Sequence, residues 1–246
     1  MRPLVEGGAM AWGGILYLKH LWDSWKSHRI GIYGLWGCGK TTLNGYLNTS
    51  GELEEDSERI TSTAHPYNKK KKQYVPPPAT RKRIHVLSES NTGHRRTILS
   101  TDLGGQPEYF NLWLRDLVMR DVEVVIYLID ARDDPDGHQQ ATFRDFTRII
   151  AEKDFRFTEK KLRKKARNYQ PKVVALVANK SDLWLTQEER VFYEGPGIGR
   201  HQIFDEYRPH LIRLQRAGIP TLKRSISALH GYDVERLIWD CLKAKS

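Results

Sequence analysis

The stretch Gly34-Leu-Trp-Gly-Cys-Gly-Lys-Thr41 constrains this chain more than any other. It follows a short apolar run, Arg29–Tyr33, and precedes a segment whose helical patterning opens at Leu43. The spacing fits G-x-x-x-x-G-K-[ST] between a strand and a helix, the context in which that pattern carries meaning. Glycines at 34, 37 and 39 let backbone N–H groups converge on an anion without Cβ collisions. The following helix turns its positive end toward the same charge. Gly37, Cys38, Gly39, Lys40, Thr41 and Thr42 are therefore expected to bind phosphates. Lys40 is expected to reach the β- and γ-phosphates, and the Thr41 hydroxyl to ligate Mg2+, a hard cation that prefers oxygen. Trp36 and Cys38 need contribute only backbone, with the indole covering the phosphates or packing on a neighbouring loop.

Along the chain, short apolar runs alternate with helical patterns, which predicts an α/β fold of three layers. Strands are expected at Arg29–Tyr33, Arg83–Ser88, Arg96–Thr101, Glu123–Ile129, Lys172–Ala178 and Thr221–Ser225. Asn91-Thr92-Gly93 is turn chemistry for one antiparallel hairpin strand in an otherwise mostly parallel central sheet. Helices on both faces are expected to open at Leu43–Leu47 and to cover Phe143–Lys153, Ile203–Arg216 and Asp233–Lys243. Residues 1–27 read as an N-terminal helical extension and 28–246 as one domain. Three segments fit that domain's core poorly: a basic, proline-rich loop at about 68–82, a basic helical or disordered insert at 154–170, and an irregular stretch at 185–200.

A phosphate loop does not choose a base, but three later stretches do. Asn179-Lys180-Ser181-Asp182 follows an apolar run, and a carboxylate at Asp182 accepts from both N1–H and the exocyclic amine of guanine. Adenine offers no such pair and would leave Asp182 unsatisfied. Lys180 can lie along the base, and Asn179 can tie its loop to the phosphate loop. Ser227-Ala228-Leu229 follows the last strand, where the Ala228 N–H is expected to donate to guanine O6. Between them, Asp102-Leu-Gly-Gly-Gln106 offers Asp102 to hold Mg2+ through a water. Its Gly105 N–H is expected to face the γ-phosphate, and Gln106 to orient the attacking water.

The ordered set GLWGCGKT, DLGGQ, NKSD and SAL resembles a small GTPase of the Ras superfamily, over about residues 28–243. The D-x-G-G-Q form, with Trp113 seven residues after Gln106, is similar to the Arf/Sar branch. This resemblance implies a P-loop NTPase fold, GTP and GDP as substrate and product, and Mg2+ as cofactor. It also implies an exchange factor, an activator and an effector as partners. Thr63-Ala64-His65-Pro66 resembles the T-x-H-P of Sar-type proteins and makes Thr63 the Mg2+-binding threonine of the first switch, with Thr61 the alternative. There are departures. The loop holding Lys69–Lys72 and Pro76–Pro78 has no counterpart, Arg2 excludes N-myristoylation, and Pro107 stiffens the second switch. The implied reaction is slow hydrolysis by in-line attack, with Gln106 and Lys40 as catalytic residues and no arginine placed to assist in cis. Rival readings are a GTP-binding interaction module with negligible hydrolysis and an RNA- or ribosome-associated GTPase.

With a net charge of +10, the surface is expected to attract polyanions. Two cysteines are too few for a disulfide framework, and no apolar run approaches the ~20 residues that span a bilayer, so a cytoplasmic location is expected. The basic clusters read first as a solvated surface excursion and next as a contact for acidic lipid, which would add a peripheral membrane location to that expectation. Ile15, Leu18, Trp22 and Trp25 share one helical face, which packs on the domain or meets a membrane. Nucleic acid ranks below lipid, because no aromatics interleave with the basic runs as a stacking platform requires.

Overall fold

The computed structural model describes residues 28–48, 67–68, 73–74, 83–88, 95–100, 103–132, 137–193 and 195–245. The segment 1–27, Thr61, Thr63, Asp102, the hairpin turn at 91–93 and most of the basic loop at 68–82 lie outside the described residues.

In chain order the elements begin with β1 (His28–Tyr33), α1 (Lys40–Asn48), a two-residue pair β2 (Tyr67–Asn68) and β3 (Gln73–Tyr74), β4 (Arg83–Ser88) and β5 (Arg95–Ser100). Then come α2 (Phe110–Arg120), β6 (Val124–Asp130), α3 (His138–Glu152), α4 (Lys160–Asn168) and β7 (Val173–Asn179). Short α5 (Ser181–Trp184) and α6 (Gln187–Phe192) precede α7 (Arg208–Arg216), β8 (Thr221–Ser225) and α8 (Val234–Ala244).

The runs VVIYLID in β6 and VVALVAN in β7 are buried almost throughout, as strands covered on both faces must be. They form the centre of a sheet ordered β4-β5-β1-β6-β7-β8. β5, β1, β6, β7 and β8 run parallel, and β4 alone pairs antiparallel, with β5. β8, sequence TLKRS, is only half-buried and keeps Lys223 and Arg224 on the edge, which discourages pairing with another chain. Alternation along the strands divides the core into two layers. Tyr33, Val125, Tyr127, Ile129, Val174 and Leu176 face α2, α3, α4 and α7, while Ile30, Ile32, Val124, Ile126, Leu128 and Val177 face α1 and α8.

Three segments differ from the sequence reading. α2 is not among the helices whose ranges the sequence reading named. Trp113, Leu114, Leu117 and Val118 bury one stripe of it, and Asp121 at φ 54 turns the chain out of the helix. The stretch 154–170 belongs to the domain's core, because Phe155, Leu162, Ala166 and Tyr169 are buried in the same cluster as Trp113. The stretch 185–200 is more ordered than its composition suggests. Thr186 accepts from the Glu189 N–H while the Glu189 carboxylate accepts from the Thr186 N–H, a reciprocal cap that starts α6. Among the described residues no helix is long and apolar enough to cross a membrane.

The helical layer over β1 is pinned by Trp113. Its ring is fully buried against Tyr33, Phe110, Tyr127 and Phe146. Below it the Tyr33 hydroxyl donates to Asp116 at 2.7 Å, and the same carboxylate takes two bonds from Arg120, each 2.7 Å. Burial, with the Asp116 charge alongside, pushes the Tyr33 hydroxyl well above its ordinary pKa, so it remains a donor. Trp113→Ala should cost about 3–5 kcal/mol in denaturant unfolding, the range for emptying a large buried aromatic site. Trp36→Ala, at a residue 77% exposed, should change stability by under ~0.5 kcal/mol in the same measurement.

Candidate functional site

Parallel strands deliver their C-terminal ends to one edge of the sheet, where ligands bind in open α/β folds. β1 ends at Tyr33, β6 at Asp130, β7 at Asn179 and β8 at Ser225. The loops that follow β1, β7 and β8 carry three of the sequence motifs, and the segment 103–106 joins them at the same edge.

The loop after β1 is built by positive φ angles at Gly34 (140°), Gly37 (81°) and Gly39 (92°). A Cβ on Gly34 would strike the Leu128 carbonyl, and one on Gly39 would strike the Asn179 side chain. Gly37 meets nothing within 4 Å and faces open space. The amides from Gly37 to Thr42 have no carbonyl acceptor among the described residues, and those of Lys40 to Thr42 open the nine-residue helix α1. This row of N–H donors at a helix N-terminus, of which the Lys40 amide also faces the Cys38 sulfur, is an anion cradle, and its fit to phosphate follows from the backbone itself. Lys40 is 6% exposed and donates to the Leu35 carbonyl at 2.8 Å, so the lysine arches over its own loop. Burial raises the pKa of the Cys38 thiol against the pull of Lys40, which leaves Cys38 a packing residue that contributes its backbone.

Asn179 connects the loops. It is 2% exposed, and its Nδ2 donates to the Cys38 carbonyl at 2.8 Å while its Oδ1 accepts from the Ala228 N–H at 3.0 Å. The first bond is the tie expected from the sequence. The second was not foreseen. The Ala228 N–H, expected to face a base, is already taken by Asn179, and among the described residues it is the Leu229 N–H that has no acceptor. Lys180 sits at φ 60, an uncommon angle for a residue with a side chain, and this bend separates Asn179 from Asp182. Its ammonium pairs with Asp130 at the end of β6. Burial works against the Asp130 charge, yet hydrogen bonds from Arg132 and Lys180 hold its carboxyl below the usual range. Asp182 is largely shielded, with 15% of its side chain exposed, and lies 3.7 Å from His230 Nε2. Asp130 escaped the sequence reading. A carboxylate closing an apolar strand beside the two motif strands was the available signal.

The segment 103–106 approaches from the other side. The Gly105 carbonyl accepts the Trp36 N–H at 2.8 Å, and a Cβ on Gly105 would collide with Lys40 Nζ and the Trp36 backbone. Gly104 is held by the Trp113 indole, whose Nε1 donates to its carbonyl at 2.8 Å. Gln106 is exposed in an extended conformation ahead of Pro107, and its side chain makes no hydrogen bond among the described residues. Thr41 is exposed at the first turn of α1. The structure therefore gathers Gly37, Cys38, Gly39, Lys40, Thr41, Thr42, Gly105, Asn179, Lys180, Asp182, Ser227, Ala228 and Leu229 at one edge. The placement of Thr63 and Asp102, the other expected Mg2+ ligands, lies outside the described residues. Among the described residues no group of three or more His, Cys, Asp or Glu side chains is placed to hold a metal ion.

No family profile matches the sequence, and no curated protein matches it. Solved structures do. The Arl6 (BBS3) small GTPase of Trypanosoma brucei, determined with the nucleotide analogue GppNp, matches 89% of this chain and 97% of its own at TM-score 0.50 and 12% identity. The two share the α/β fold of the P-loop NTPases. The bacterial selenocysteine-specific elongation factor EF-Sec matches 89% of this chain at TM-score 0.48 and 14% identity; this chain spans 29% of that factor's length.

Removing Asn179 orphans two buried backbone groups on different loops. Asn179→Ala should therefore lower unfolding free energy by about 2–4 kcal/mol in denaturant titration, well above the cost of a surface truncation.

Proposed function

We propose that this protein is a Mg2+-dependent guanine-nucleotide switch that hydrolyses GTP. The observation that carries the reading is the Asn179 bridge, which joins a loop of N–H donors to two loops of base-recognition chemistry. The amides of Gly37 to Thr42 and the Lys40 ammonium bind the phosphates. Asp182 accepts two bonds from guanine, the stem of Lys180 lies along the ring, and the free Leu229 N–H is the donor to O6. Bound Mg2+ would neutralise phosphate charge, held by the Thr41 hydroxyl, by Thr63 and, through a water, by Asp102.

Gln106 orients the attacking water once the γ-phosphate draws its loop inward, and Gly105 turns its N–H toward the same group. Those movements break the Trp36–Gly105 bond and present partners with a second surface, which an effector, an exchange factor and an activator would read. Unassisted turnover is slow, of order 10⁻³ per second by analogy with unassisted enzymes of this class. The closest affinity in motif form is to the Arf/Sar branch, and the working location is the cytoplasm with peripheral contact to acidic membranes. One observation favours a second reading, a GTP-binding module that scarcely hydrolyses: Gln106 is exposed, and its side chain makes no hydrogen bond among the described residues.

Calorimetric titration with GTP and ATP tests base choice. The protein should bind GTP and ignore ATP, and Asp182→Ala should weaken GTP binding about 100-fold or more by removing two charge-assisted hydrogen bonds. Equal affinity for the two nucleotides would overturn the reading. Single-turnover hydrolysis then separates switch from module: Gln106→Leu should slow cleavage at least ~10-fold, and an unchanged rate would favour the module.

A further inference from the structure

The nucleotide site leaves α4 unexplained. Six of its nine residues are basic (Lys160, Lys161, Arg163, Lys164, Lys165 and Arg167), all six are exposed, and the helix contains no acid. Leu162 and Ala166 are buried. At about 100° per residue, the six cations cover roughly 200° of the helix circumference, centred opposite the buried stripe. None of them enters an ion pair among the described residues. The neighbouring acid, Glu159, is already bound by Arg115 at 2.6 Å. Buried Tyr169 and Phe155, packed edge to face at 5.9 Å, pin the segment at its two ends. The charge array is thus preformed on a rigid element.

We propose that this face of α4 docks on an anionic membrane surface, and that its contacts with α2 couple docking to the nucleotide loops. Charge complementarity chooses the occupant class. The exposed arc carries only long aliphatic stems with cationic heads, which suits a plane of lipid phosphates and carboxylates. It offers no aromatic platform on which bases of a nucleic acid could stack. Met119, 52% exposed, sits at the edge of the same face, its carbonyl bound by Lys165 Nζ at 2.8 Å, and adds an apolar side chain at headgroup depth.

The coupling rests on the guanine-nucleotide reading above and follows a chain of contacts. Arg115 and Met119, both on α2, hold Glu159 and Lys165 of the α4 segment. Trp113 of α2 holds the Gly104 carbonyl, and Gly105 in turn holds the Trp36 N–H of the phosphate loop. Headgroups that draw Lys165 away from Met119 release the last turn of α2, loosen Gly105 from the phosphate loop and speed loss of GDP. By reciprocity, nucleotide state shifts membrane affinity by the same factor.

The test uses the full chain with phosphatidylcholine vesicles containing about 30% phosphatidylserine, and with phosphatidylcholine alone. Co-sedimentation, run without nucleotide, should show binding to the anionic vesicles only, and loss of that binding at about 1 M salt. Combined Lys160→Glu, Lys161→Glu and Lys164→Glu should weaken it at least tenfold, and the Gln versions should weaken it less, with unchanged far-UV circular dichroism in both. Anionic vesicles should accelerate release of fluorescent GDP at least threefold, and Arg115→Ala should keep vesicle binding but abolish the acceleration. Docking is overturned by vesicle binding that survives the α4 charge reversals, by no vesicle binding, or by preference for single-stranded RNA at matched phosphate concentration. Acceleration that persists in Arg115→Ala overturns the α2 route. Because docking is read without nucleotide, a protein that binds no guanine nucleotide still gives a decisive docking result.

Discussion

A buried asparagine side chain has a donor end and an acceptor end, and Asn179 uses both to hold segments far apart in sequence. Its amide nitrogen takes the Cys38 carbonyl and its oxygen takes the Ala228 N–H, at 2.8 and 3.0 Å, with 2% of the residue exposed. In a low-dielectric setting neither bond can be exchanged for water without cost. The phosphate loop, the loop after β7 and the loop after β8 therefore keep one relative geometry. Gly39 has to lack a side chain because the Asn179 amide occupies the space its Cβ would need. The glycine pattern and the asparagine are two halves of one contact.

The opposite flank depends on Trp113. This ring is at once a core residue, fully buried among Tyr33, Tyr127 and Phe146, and a clamp on the Gly104 carbonyl. Packing in the layer over β1 thereby reaches the segment that touches Trp36 and Lys40. The basic helix α4 is bolted to the same layer by Leu162 and Ala166. A segment that composition marks as an excursion is, physically, part of the frame supporting the segment 103–106.

Much of this was legible in the sequence, for identifiable reasons. The apolar runs of β6 and β7 are long and bounded, so period and length agree on strands, and the four motifs sit at strand ends where the parallel topology must bring them together. The tie from Asn179 to the phosphate loop was legible for the same reason. α2 was missed because Pro107 and the glycines before it disguise the start of a helix whose buried residues, Trp113, Leu114, Leu117 and Val118, show the pattern only from its second turn. α4 reads as a basic insert, helical or disordered, outside the core because only Leu162 and Ala166 betray its buried face. The bond from Ala228 to Asn179 was hidden on a different count: a backbone donor has no side chain to read, so its partner is visible only in coordinates. The Lys180–Asp130 pair joins β7 to β6, and no local pattern announces it.

Hydrogen–deuterium exchange of the intact protein tests most directly whether the loops form one guanine-nucleotide site. Mg2+ with GDP should slow exchange together at 37–43, 180–183 and 227–230, segments joined through Asn179, while Mg2+ with ADP should leave all three unchanged. Protection confined to the phosphate loop, or equal protection by the two nucleotides, would contradict the account.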